Sequence, residues 1–190
     1  MADSSVVSRW FGSQFSALHP ALQALHLGGG RLAGTVEINV GSGAAGWLGR
    51  RLARSLGIPV DLPRRAFSVD INHTATSLLW VRRFDNGAML ESRFTPTGTW
   101  PRGFWVEETG RLKMHLTVDI VDGGWQWRLL QARFGRLRLP MCLFPRMIAG
   151  KRIADGRYEF RVNFSMPLLG SMLCYQGNLT ADCSSRPLDG

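Results

Sequence analysis

Three glycine turns constrain this chain more than any other feature. Asn86-Gly87, Gly123-Gly124 (after Asp122) and Asp155-Gly156 each interrupt a pair of segments in which apolar and polar residues alternate. Such pairs are a strong short-range mark of a two-residue β-hairpin, because the primed turns that join twisted strands need positive φ. From Ala66 onward almost nothing has helical periodicity, and strand patterns recur at spacings typical of a sandwich or barrel. The predicted fold is therefore mainly β: an antiparallel barrel or strongly curved sheet of about eight or more strands.

Helical signals are confined to the N-terminal third. Pro20 opens a segment in which Leu22, Leu25 and His26 share one face, and Gly28-Gly29-Gly30 stop it. Arg31 to Val40 alternates as a strand with one wet face. A second short helix is expected from about Ala44 to Leu56, with Leu48, Leu52 and Leu56 on one side and Arg50, Arg51 and Arg54 away from them. The 190 residues suit one core. We read residues 1–14 as a lead, 15–183 as one β-rich domain and 184–190 as a tail.

The turns assign faces. With Asn86-Gly87 as a two-residue loop, Arg82 opposes Glu91 and Trp80 opposes Arg93, which puts Trp80, Arg82, Phe84, Met89, Glu91 and Arg93 on one surface. The simpler reading of that surface is a solvent-facing salt bridge with a cation–π contact. The sharper one is a ligand site with a charged anchor beside an aromatic wall. At the second hairpin Leu116, Val118, Ile120, Trp125, Trp127 and Leu129 form an apolar face for either choice of loop. At the third, Ile153, Tyr158, Phe160, Val162 and Phe164 face the core, backed by an Arg152–Glu159 pair.

Seven tryptophans is a high number, and five of them fall in the strand region. A barrel of this size has room for one small ligand, and an aromatic lining suits an apolar one; a core of large residues explains the same composition. The expected lining is Trp80, Phe84, Trp105, Trp125, Trp127 and Phe160, with Arg82, Glu91 or His73 as polar anchors. His73 shares a face with Phe67, Val69 and Ile71, where a lone histidine is more often a hydrogen-bonded core residue.

Other motifs carry less. Gly41-Ser42-Gly43-Ala44-Ala45-Gly46 is a literal G-x-G-x-x-G, but the strand before it is wet on one face and no strand–helix alternation follows. A glycine turn that lets a helix lie close to the sheet is the better explanation, so no cofactor is expected. The four histidines and three cysteines lack metal-ligand spacing, and no nucleophile signature is present. The formal charge is +9, with 21 Arg and only Lys113 and Lys151 as Lys. The arginines are dispersed, which argues against nucleic acid as a partner. The helix bearing Trp47 and its arginines offers a peripheral membrane contact as an alternative to core packing. The N-terminus carries no signal-peptide pattern, so the expected compartment is the cytoplasm.

The stretches FSALHPALQALH, GGGRLAGTVEINVGSGAAGWLGRRLARSLGIP, WVRRFDNGAMLESRF, VDGGWQWRL, LRLPMCLFPR and DGRYEFRVNFSMPLLGSMLCYQG together resemble the bacterial DUF4166 family, a domain of unknown function. The resemblance covers about Phe15 to Thr180. It implies a domain that occurs alone or C-terminal to epimerase-like or saccharopine-dehydrogenase-like domains, hence an oxidoreductase or epimerase partner and work near small-molecule or lipid metabolism. It brings no catalytic residues. The leading expectation is binding of a small apolar molecule such as a lipid or polyketide-like metabolite. The alternatives are a cofactor-free isomerase or cyclase that folds a hydrophobic substrate inside the barrel, and a partner- or membrane-surface-binding module.

Overall fold

The computed structural model describes residues 4–141 and 144–182; Cys142, Cys183 and the expected tail 184–190 lie outside them. The chain runs through helices α1 (Val6–Phe11) and α2 (Pro20–Gly28), with a 3-10 turn at Gly12–Ala17 between them. Strand β1 (Gly30–Val40) and helix α3 (Gly43–Leu56) follow. Then come β2 (Arg64–His73), β3 (Leu78–Phe84), β4 (Met89–Thr97), β5 (Phe104–Thr109), β6 (Leu112–Val121) and β7 (Gly124–Phe134). The chain ends with β8 (Leu137–Leu139), β9 (Arg146–Ala154), β10 (Arg157–Met166) and β11 (Gly170–Asp182).

The strands close on themselves. β1 to β7 pair in sequence, β7 pairs with β9, β9 with β10, β10 with β11, and β11 returns to β1. The result is a ten-stranded antiparallel barrel from which β8 branches off β7. Closure removes the sheet edges that an open sheet of this length would expose. The weakest seam is β7–β9, where only Trp125, Gln126 and Trp127 pair with Lys151, Gly150 and Ala149.

Two of the predicted hairpins have the expected register. Val121 pairs with Gly124 across Asp122-Gly123, and Ala154 with Arg157 across Asp155-Gly156. All four loop residues have positive φ, as primed turns require. The first hairpin differs. Phe84 N–H donates to Ala88 O, Gly87 N–H donates to Phe84 O, and Gly87 sits at φ +82, so Asp85-Asn86-Gly87 is a three-residue loop ending in a left-handed glycine. Arg82 therefore faces Leu90, and Glu91 faces Val81. A shift of one residue moves a strand's side chains to the other face: Glu91 and Arg93 point outward, while Trp80, Arg82 and Phe84 point into the barrel.

The N-terminal helices plug one end of the barrel. Segment 6–11, which sequence periodicity leaves unassigned, buries Val6, Val7, Trp10 and Phe11. Trp10 meets Trp105 at 5.4 Å between ring centroids, and Phe11 meets Trp125 at 5.5 Å. Helix α2 has Pro20 in its first turn and His19 as cap, whose Nδ1 accepts from the Ala21 N–H. Its buried face is the expected Leu22, Leu25 and His26. The His19 N–H donates to Gly123 O, which ties α2 to the β6–β7 turn.

Helix α3 lies outside the barrel against β11 and β1. It buries Ala45, Gly46, Gly49, Ala53 and Leu56, so small residues form more of its contact face than the expected leucines. A Cβ at Gly49 would run into the carbonyl oxygen of Met172, and one at Gly46 into that of Gly41. The G-x-G-x-x-G string thus serves close helix–sheet approach. Gly49→Leu is expected to destabilise the fold by about 1–3 kcal/mol through overpacking, read as a lower urea midpoint with an unchanged m-value.

Candidate functional site

The barrel interior is mostly filled by aromatic and aliphatic side chains. Trp105 and Trp125 are fully buried, and Trp80, Phe84 and Trp127 nearly so. Phe94 stacks on Trp127 at 5.6 Å and tilts against Trp80 at 5.0 Å. Among the described residues an interior cavity of about 50 Å³ lies between Trp80, Arg82, Trp127, Lys151, Tyr158, Phe160 and Tyr175. That volume holds one or two water molecules or a small head group.

Two basic side chains line this cavity. Arg82 and Lys151 are 7% and 5% exposed, and among the described residues neither forms a salt bridge. Both lie on the Trp80 ring, at 5.1 and 4.6 Å from its centroid. Arg82 Nη1 donates to Ser92 Oγ at 2.7 Å. Ser92 and Thr109 share a hydrogen bond at 2.5 Å, and Thr109 Oγ1 donates to Glu107 Oε1 at 3.2 Å. Burial pushes the Glu107 carboxyl up, against the opposing pull of Arg82 and of bonds from Ser92 and Thr109. Charge at this end is thus relayed through hydroxyls rather than neutralised by direct contact.

The second basic side chain sits nearer the plug. Lys151 Nζ is 2.7 Å from His26 Nε2 and 3.4 Å from the centroid of the Trp125 ring. His26 in turn stacks on Trp125 at 4.8 Å and meets His73 edge-on at 6.3 Å. Burial, with Arg82 as a second cause, holds Lys151 well below the usual amine range. Burial, then Lys151 and His73, holds His26 well below the usual imidazole range. Both directions favour the uncharged forms, since the pair is desolvated and no carboxylate stands beside it. The indole N–H groups of Trp80 and Trp125 and the Nδ1 of His26 are buried without a partner. Buried donors in that state favour an acceptor-bearing guest.

Of the residues singled out from sequence, Trp80, Arg82, Trp127 and Phe160 line the cavity. Phe84 and Trp105 lie in the surrounding core, and Trp125 supports Lys151. His73 is half-buried beside His26. Glu91 is exposed on the outer face and cannot anchor anything inside, for the register reason given above. Sequence reading missed Lys151, His26, Ser92, Thr109 and Glu107. Strand parity held the signal: Lys151 has the parity of Ile153, Glu107 and Thr109 that of Trp105.

A broad outer groove of about 910 Å³ crosses β1, β11, β10, β9 and β7. It shares Gly150, Lys151 and Phe160 with the interior cavity, so the wall is thin beside the short β7–β9 seam. Among the described residues no helix is long and apolar enough to cross a membrane.

Fold and site together define a closed antiparallel β-barrel domain with two buried basic side chains and a helical plug. The family model of DUF4166, a domain of unknown function, matches residues 18–179, and the chain belongs to that family. A comparison with curated proteins returned no match.

Proposed function

We propose that the barrel binds a small, partly apolar molecule through an acidic head held by Arg82. The observation that carries this reading is Arg82, a buried guanidinium with no salt bridge among the described residues and joined to Glu107 only through Ser92 and Thr109, on a cavity walled by Trp80, Trp127 and Phe160. Leaving a guanidinium buried and unpaired is expensive, and a carboxylate that pairs with it recovers much of that loss. The Trp80 N–H adds a donor without a competing acceptor. The apolar body of the ligand rests on the aromatic wall. The present cavity takes only the head, so a longer body requires Phe160, which borders both cavity and outer groove, to swing aside.

Native mass spectrometry of gently purified protein tests the proposal. The expected result is a stoichiometric adduct, either co-purified or taken up from a mixture of straight-chain carboxylic acids, that Arg82→Met loses while remaining folded. Ligand-free protein that takes up none of the acids would count against it.

A further inference from the structure

We infer that Lys151 is a nucleophilic amine site that takes a carbonyl compound, an aldehyde or unhindered ketone, as an imine. The inference rests on geometry. Lys151 projects from β9 into the cavity, its Nζ lies 2.7 Å from His26 Nε2, and Trp80 and Trp125 wall it on their ring faces. Among the described residues no carboxylate pairs with it; Arg82, His26 and His73 are the basic groups around it, and the Tyr158 and Tyr175 phenols line the same cavity.

Such surroundings suit an amine that must work uncharged. A lysine desolvated in an apolar pocket or placed near another cation loses its proton readily and becomes a nucleophile at neutral pH. The direction found for Lys151 agrees with that, burial being the larger cause and Arg82 the second. Donation of one amine N–H to His26 Nε2 would hold the nitrogen with its lone pair unused. The access side is also defined, because Lys151 and its neighbour Gly150 border both the interior cavity and the outer groove.

The step balances without an oxidant or reductant. The Nζ lone pair attacks the carbonyl carbon and the C=O π pair moves to oxygen. One proton passes from nitrogen to that oxygen by way of His26 Nε2, giving a carbinolamine. Nitrogen loses its second proton to His26, the hydroxyl leaves as water with that proton, and a C=N bond replaces C=O. The reverse reaction with water regenerates the free amine. This goes beyond acid binding and does not depend on it: the Arg82 head-group contact and the Lys151 imine are read by different measurements.

The chain has only two lysines, and Lys113 is half-exposed and ion-paired to Glu108. Native protein is incubated at neutral pH with butanal and sodium cyanoborohydride, then digested, and each lysine is quantified by peptide mass spectrometry. Lys151 should be alkylated about tenfold faster than Lys113 or more, since each unit by which its pKa lies lower raises its free-amine fraction about tenfold at that pH. Lys151→Arg should abolish the fast label and leave Lys113 unchanged. Labelling of Lys113 as fast as or faster than Lys151, in protein whose circular dichroism stays native, overturns the inference. The comparison lies within one wild-type molecule, so it stands even if the variant fails to fold.

Discussion

Trp125→Ala should lower the stability of this domain by about 3–5 kcal/mol, the range for removing a large aromatic side chain from a core. Trp125 is fully buried at the junction of everything that closes the barrel. Its ring meets Phe11 of the plug at 5.5 Å, stacks on His26 at 4.8 Å, meets Trp127 edge-on at 5.0 Å and covers Lys151. It also lies on the three-residue pairing that joins β7 to β9. Its loss removes apolar burial and opens the weakest seam at once, so collapse into the cavity is hindered by the surrounding strands. Urea unfolding followed by far-UV circular dichroism measures the change. A loss below about 1 kcal/mol, the level of a typical surface substitution or less, would mean that the plug and seam do not depend on this ring.

The second large effect is a pH dependence. An unfolded lysine holds its proton up to about pH 10.4, whereas Lys151 in the fold releases it well below that. Within that window the unfolded state binds more protons than the native one, so stability rises with pH and falls as pH drops. The limiting slope from one group is about 1.4 kcal/mol per pH unit. The trend is read below about pH 10, where unfolded tyrosines begin to ionise. Tyr158 and Tyr175 are raised by burial and reverse the trend above it. Lys151→Met should remove the rise, so the wild type gains on the variant as pH climbs toward that limit. Parallel profiles would show that Lys151 keeps its charge in the fold, held by the Trp80 and Trp125 faces and His26.

The barrel was legible where turn chemistry has one solution. Asp122-Gly123 and Asp155-Gly156 adopt two-residue primed turns, and the faces derived from them hold in the structure. Asn86-Gly87 permits two solutions, a two-residue loop or a three-residue loop with a left-handed glycine. The chain uses the second. That single residue separates Arg82 from Glu91 and turns an apparent surface ion pair into a buried guanidinium that reaches Glu107 only through Ser92 and Thr109. Local sequence cannot decide it, because the decision comes from closing the barrel with Phe94 and Ser92 inward.

The remaining site was harder to read for two reasons. Lys151 and His26 lie 125 positions apart and meet only because α2 caps the barrel over β9. Helix α1 is six residues long, too short for its periodicity to register, yet it supplies Trp10 and Phe11 to the core. The glycine string at Gly41–Gly46 serves packing: Gly41 lies against the Ser171 carbonyl oxygen of β11, and Gly49, just beyond the string, brings α3 onto that of Met172.

We propose that buried Arg82 makes this barrel selective for an acidic head. Tryptophan fluorescence titration with hexanoate and with hexanol, on wild type and Arg82→Met, tests it directly, because Trp80 and Trp127 border the cavity. Wild type should bind hexanoate saturably and about tenfold tighter than hexanol or more, the effect of one charge-assisted hydrogen bond, and the variant should lose that preference. Equal response to the two ligands, or none to either, would contradict it.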